Sequence, residues 1–189
     1  AETVYGNSGQ TCYAGTRVLV QRSIQDEFIS RLSDLSATWR IGDALDPRTD
    51  IGPLVSGKQL DRVLDYVEVG TREGAKLARG GQRVGGELDA GYYMEPTVFA
   101  DVRNDMRIAR EEIFGPVVAV IPFDTVDEAL EVANDTVYGL AGGVWTSDLS
   151  TAHKVARGIT AGTVWVNSYG AMDPSVGFGG HKMSGYGWK

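Results

Sequence analysis

Val117-Val118-Ala119-Val120-Ile121 is apolar at every position, and this run constrains the fold of the chain more than any other feature. A strand with one face in water alternates apolar and polar residues, so a strand without alternation has to be covered on both faces. The residues beyond this strand read as an ordered alternation of elements. Thr125-x-x-Glu128 opens a helix carrying Val126, Ala129, Leu130 and Ala133, and residues 140–145 read as a strand. A second helix starts at Ser147 or Asp148, with Leu149, Ala152, Val155, Ala156 and Ile159 on its buried side, before a strand at 163–167. Strand, helix, strand, helix, strand predicts a parallel sheet with crossover helices.

The half before Val117 supplies matching parts. Residues 17–21 and 96–100 have strand length and apolar content. Ser23-x-x-Asp26 resembles a capping box, followed by Phe28, Leu32, Leu35 and Trp39 on one helical face. Ser56-x-x-Gln59 opens another helix, with Leu60, Val63, Leu64 and Val67 at helical spacing. Residues 40–53 and 80–91 are rich in Gly, Pro and Asp and read as surface loops. The expected fold is α/β, a mostly parallel twisted sheet with helices on both faces, in a single domain over residues 1–189.

Charge and cysteine content narrow the function classes. A formal net charge of −7, with basic residues scattered singly, argues against a nucleic-acid surface. No apolar run has the length of a membrane span, so no membrane partner is expected. One cysteine excludes an internal disulfide and any multi-cysteine metal site, and no metal is expected. A free thiol suits a reducing cytoplasm.

Three segments could carry chemistry. Cys12 lies in Asn7-Ser8-Gly9-Gln10-Thr11-Cys12-Tyr13-Ala14-Gly15, ahead of the strand at 17–21. A lone cysteine is commonly a small buried hydrophobe. A polar loop among glycines is equally the place to display a nucleophile. Glu111-Glu112-Ile113-Phe114-Gly115-Pro116 reads either as an ordinary turn with solvated acids or as a carboxylate pair able to bind sugar hydroxyls. Gly177-Phe178-Gly179-Gly180-His181-Lys182-Met183-Ser184-Gly185 lacks the order of known phosphate loops, and close backbone packing suits its glycines better. His153 falls on the polar side of its helix, whereas His181 could in principle serve Cys12 as a base, as in a Cys/His thiol hydrolase or acyl-transfer module.

Taken together, the three segments resemble the aldehyde dehydrogenase superfamily. Gly9-Gln10-Thr11-Cys12 with Ala14-Gly15 is similar to its active-site cysteine signature, and Glu111 to Pro116 to its E-E-x-F-G-P motif. Gly162-Thr163-Val164-Trp165-Val166-Asn167 followed by Phe178-Gly179-Gly180-x-Lys182-x-Ser184-Gly185 resembles its C-terminal signature. Gly52-Pro53-Leu54-Val55 and Tyr138-Gly139-Leu140-Ala141 keep the family's order. The resemblance implies an enzyme oxidising an aldehyde to a carboxylic acid with NAD or NADP. Cys12 is then the nucleophile, Glu112 binds the nicotinamide-side ribose and Phe114 packs beside that ring. Phe178, Tyr169, Thr11, Tyr13 and Met172 line the substrate funnel. It also implies that the chain is a catalytic domain truncated at both ends. The general base and the domain that mainly binds NAD(P) then lie outside it, so the isolated piece is expected to be inactive. The full-length enzyme is expected to be a homo-oligomer, a dimer or tetramer. A CoA-acylating reaction and a purely structural remnant remain as alternatives.

Overall fold

The computed structural model describes residues 1–188. The chain forms two compact units, the first Ala1–Pro122 and the second from Phe123 onward.

The first unit contains, in chain order, α1 (Glu2–Tyr5), β1 (Arg17–Gln21), α2 (Gln25–Ala37), α3 (Gly57–Arg72), β2 (Lys76–Arg79), β3 (Thr97–Ala100), α4 (Arg107–Arg110) and all but the last residue of β4 (Val117–Phe123). Its sheet has the order β1-β4-β3-β2. β3 and β4 are parallel, with Thr97 opposite Val117 and Phe99 opposite Ala119. β2 closes one edge antiparallel to β3, and its register shifts between Leu77 and Arg79. Val117 to Ile121 are all buried, as their lack of alternation requires. The two parities of the strand serve two layers. Val98, Val118 and Val120 join Val4, Tyr5, Val20, Leu32 and Ile51 in one cluster, with Phe28, Ile29 and Trp39 packed against it. On the other parity Phe99 meets α3: a methyl group on Gly70 would lie 3.2 Å from the Phe99 ring and 2.9 Å from Ile108. Helices on both faces of a mixed, mostly parallel sheet match the fold class read from the sequence.

The second unit contains α5 (Val126–Asn134), β5 (Tyr138–Gly139), β6 (Ala141–Val144), α6 (Leu149–Gly158), β7 (Thr163–Val166) and β8 (His181–Lys182). β6 and β7 are parallel, with Ala141 opposite Thr163 and Val144 opposite Val166, and α6 connects them. β5 pairs antiparallel with β8. The expected crossover is therefore found around α6. In the first unit β4 pairs with β1 and β3, and in the second β6 pairs with β7.

Capping predictions hold where the cap is purely local. Ser56 Oγ accepts from the Gln59 amide, Thr125 Oγ1 from that of Glu128, and Asp148 Oδ1 from that of Thr151. The capping box at Ser23 does not form. Residues Arg22–Ile24 make a 3-10 turn, α2 begins at Gln25, and no side chain caps it. Gln25 is drawn into the fold instead, donating to Asp101 Oδ1 at 2.8 Å. Leu35 departs from its expected face as well, being 49% exposed while Ser36 is buried. The buried stripe of α2 runs through Phe28, Ile29, Leu32 and Ser36, which leaves Leu35 on its rim. Leu149, expected on the buried side of α6, is exposed at the first position of its helix, one turn before the buried Ala152.

Phe99→Ala is expected to destabilise the protein by about 3–5 kcal/mol through lost burial and the cavity left behind. Leu35→Ala should cost under about 1 kcal/mol, because a half-exposed side chain loses little buried surface. Urea titration of both variants checks the contrast.

Candidate active site

Cys12 is exposed, on a loop whose backbone is unusual and tightly held. Asn7, Ser8 and Gly9 are consecutive left-handed residues, with φ of 51°, 57° and 72°. Such a turn persists only when its surroundings over-determine it. The Asn7 side chain donates to the Gln10 carbonyl, and the Gln10 amide donates back to the Asn7 carbonyl. Ser8 Oγ donates to the Gly52 carbonyl at 2.8 Å, and the Val55 amide donates to Gln10 Oε1 at 2.9 Å. Beyond the cysteine the Ala14 amide closes a turn onto the Thr11 carbonyl, and the Gly15 amide bonds the Thr3 carbonyl. Thr11 and Tyr13 are half-buried on either side of Cys12.

Gly9 brings this loop against the second motif. A methyl group there would fall 2.0 Å from the Gly115 carbonyl oxygen, so only glycine permits the approach. The 111–116 segment is in turn held by α3, from which Gln59, Arg62 and Tyr66 project at the i, i+3, i+7 spacing of one helical face. Gln59 Nε2 donates to the carbonyls of Ile113 and Phe114 at 3.0 and 2.8 Å. Arg62 Nη2 donates to the Glu112 carbonyl at 2.6 Å. Phe114, half-buried, takes a left-handed φ of 59° within this clamp.

The paired carboxylates have different surroundings. Glu111 receives both the Nε and Nη2 of Arg107 at 2.9 Å and the Tyr66 hydroxyl at 2.7 Å. Arg107 first, and Tyr66 second, hold its carboxyl at about 2. Burial, then this bond to Glu111, raises the Tyr66 phenol, and the Arg62 and Arg107 guanidinium groups lie 5.0 and 5.7 Å from its ring. Glu112 is exposed, fixed through its main chain rather than its side chain.

The remaining sequence-predicted residues belong to the second unit. Tyr169, half-buried, stacks parallel on Trp145 at 6.1 Å and lies tilted against Trp165 at 4.6 Å. The Trp165 indole donates to the Ala171 carbonyl at 2.8 Å, which ties down the chain just before Met172. Met172 is 48% exposed, and Phe178 is half-buried. The glycines around Phe178 serve close backbone packing: a methyl on Gly162 would lie 1.7 Å from the Gly179 carbonyl oxygen, and one on Gly180 2.8 Å from Ser184. His181 is exposed on β8, its ring edge-on to Trp188 at 6.0 Å.

Sequence reading missed the residues that hold the loops. Gln59, Arg62 and Tyr66 form a polar stripe on an otherwise amphipathic helix, a signal that was available. Ser8 and Gln10 carried no such signal, since their partners are main-chain groups more than forty residues away.

Comparison with known proteins gives one family. The profile of the aldehyde dehydrogenase family matches residues 1–189. Betaine aldehyde dehydrogenase of Rhizobium johnstonii is 50% identical over 181 residues, 96% of this chain and 37% of the relative. An aldehyde dehydrogenase of Enchytraeus buchholzi is 48% identical over 186 residues, 98% of this chain and 37% of the relative. Among solved structures, an NAD+ complex of aldehyde dehydrogenase from Bacillus cereus superposes with a TM-score of 0.94 at 46% identity, over 99% of this chain and 38% of that one. Betaine aldehyde dehydrogenase from Staphylococcus aureus, in complex with NAD+, reaches 0.97 at 40% identity, over 99% and 37%. The chain thus spans 37% of the length of the curated relatives it matches.

Two outcomes test the architecture of the site. Gly9→Ala forces the loop off Gly115 and is expected to destabilise by about 2–4 kcal/mol, the combined penalty of a clash and a left-handed non-glycine residue, measured by thermal or urea unfolding. The Glu111 carboxyl is lower in the folded protein than its ordinary 4.5, so its contribution is fully present above that value and lost as pH falls through about 2. With the side chain 41% exposed, that contribution is only about 0.2–1 kcal/mol. The stability gap between wild type and Glu111→Gln should therefore be open at neutral pH and close as pH descends toward 2.

Proposed function

This chain belongs to the aldehyde dehydrogenase family, and from that premise we propose that residues 1–189 are the nucleophile-bearing catalytic domain of an enzyme that oxidises an aldehyde to a carboxylic acid. The observation that carries the reading is the junction of the two motif loops. An exposed Cys12 sits on a loop locked, through Gly9, against the segment that presents an exposed Glu112.

Cys12 attacks the aldehyde carbonyl through its sulfur, forming a tetrahedral thiohemiacetal. Its own backbone amide donates to the developing oxyanion, and the rigidity of the 7–15 loop keeps that donor in place without reorganisation. The donor set on the 111–116 segment fits a nicotinamide nucleotide. Glu112 offers a carboxylate not spent on an ion pair of the kind that occupies Glu111, and two carboxylate oxygens match vicinal ribose hydroxyls. Phe114 adds an aromatic face beside it. NAD or NADP, when bound, supplies the hydride acceptor that turns the adduct into a thioester. Water then releases the acid from Cys12; in a CoA-acylating variant of the reading, a thiol takes the acyl group instead. Thr11 and Tyr13, flanking the sulfur, line the approach of the aldehyde in the first unit, and the family resemblance makes Phe178, Tyr169 and Met172 the substrate-facing residues of the second.

Association of copies belongs to the same reading. It is supported by apolar side chains at the surface of the second unit, among them Trp145 at 61% and Leu149 at 71% exposure. A cytoplasmic setting suits an exposed free thiol. No helix among the described residues is long and apolar enough to cross a membrane. Nothing in the surroundings of His181 favours the thiol-hydrolase alternative.

In the complete enzyme carrying this sequence, reduced cofactor should form from at least one of a panel of aliphatic, aromatic and betaine aldehydes, and Cys12→Ala should form none. The 189 residues alone should turn over no aldehyde. Silence of the wild type with every aldehyde and both cofactors would overturn the proposal.

A further inference from the structure

Two side-chain tethers run from the cysteine loop to the 52–55 segment, and they are unlike each other. The first, from Ser8 Oγ to the Gly52 carbonyl, starts on a residue only 3% exposed and belongs to the interior. The second, from the Val55 amide to Gln10 Oε1, starts on a residue that is 78% exposed. If the Gln10 amide is removed, the Val55 N–H turns to water, so little folding free energy depends on this bond. What it does fix is the direction of the chain two residues before the reactive sulfur. It does so at the exit of a turn in which Asn7 and Ser8 hold left-handed conformations that an L residue readily leaves. The Gln10 backbone closes that turn through both its amide and its carbonyl, so backbone and side chain of one residue join the turn to the 52–55 segment.

We propose that Gln10 is a positioning residue for Cys12: its side-chain oxygen, held by the Val55 amide, sets the approach of the sulfur and the direction of the Cys12 N–H. The proposal rests on Cys12 being the nucleophile. It separates two reactions of the same thiol. Acyl transfer needs the sulfur on the carbonyl trajectory while a fixed N–H meets the oxygen, and a misplacement of about 1 Å costs about a hundredfold. Alkylation of an exposed thiol asks for neither.

The test compares both reactions in the complete enzyme, each at its alkaline plateau, where the thiolate is fully formed and a charge introduced nearby does not change its fraction. With p-nitrophenyl acetate the thiolate adds to the ester carbonyl and the C–O bond breaks. p-Nitrophenolate leaves, an acetyl thioester remains on Cys12, and the thiol proton has gone to solvent. With iodoacetamide a C–S bond forms and iodide leaves. Gln10→Leu is expected to slow acylation by about tenfold or more while alkylation stays within about threefold. Gln10→Glu, which keeps an oxygen for the Val55 amide, should restore acylation. An unfolding midpoint close to wild type is expected for both variants. Unchanged acylation in Gln10→Leu, or acylation and alkylation slowed in equal proportion, overturns the proposal. A wild-type Cys12 that reacts with neither reagent refutes the nucleophile reading itself, and the positioning role falls with it.

Discussion

The Gly9 backbone lies so close to the Gly115 carbonyl that even a methyl group would sit 2.0 Å from its oxygen. The rest of the candidate site depends on that contact. Behind Gly115 the Val63 side chain of α3 is also close, 2.5 Å from where a β-carbon would be. The cysteine loop and the E-E-x-F-G-P segment therefore meet backbone to backbone at this point, and there the segment meets α3 through the Val63 side chain. Interiors at such density transmit position rather than absorb it. Since Phe99 on β3 meets Gly70 of the same helix, the placement of the Cys12 loop is referred back to the central sheet.

Electrostatics completes what packing begins. Two adjacent acids would repel each other and compete for the same cations, but Arg107 and Tyr66 take Glu111 entirely. Arg62 then fixes the Glu112 main chain and leaves the carboxylate exposed. One acid anchors the segment and the other is presented by it. The asymmetry follows from the partners: Tyr66 of α3 and Arg107 of α4 bond the first carboxylate, whereas Arg62 of α3 bonds the main chain of the second acid.

In the second unit glycine does a related job without charge. Gly162 and Gly180 let strand ends and the 178–185 segment approach within distances that any side chain would forbid. Asn134 reinforces the arrangement by bonding the Gly158 carbonyl and the Thr160 amide. Trp145, Tyr169 and Trp165 form one aromatic group beside the β6–β7 pair, so Tyr169, although it lies beyond β7, is packed against that pair.

The sequence by itself determined the features that arise from neighbours along the chain. The unbroken apolar run at Val117–Ile121 required a strand covered on both sides. Ser56, Thr125 and Asp148 marked three helix starts because a cap is satisfied within one turn. The ordered motifs around Cys12, Glu111–Pro116 and Phe178 identified the family. The tertiary structure alone decided what depends on distant partners. It showed that Ser23 caps nothing, because Gln25 bonds Asp101, and that Leu35 stands on the rim of α2. It paired β4 with β1 and β3, and added the edge strand β2 and the two-residue strands β5 and β8, which are too short to leave a pattern. It also divided the two glutamates and tied Ser8 and Gln10 to main-chain atoms of the 52–55 segment. Such partners are invisible in a single sequence for a physical reason: a backbone amide or carbonyl is present at nearly every position, so nothing in residue identity says which one will be met.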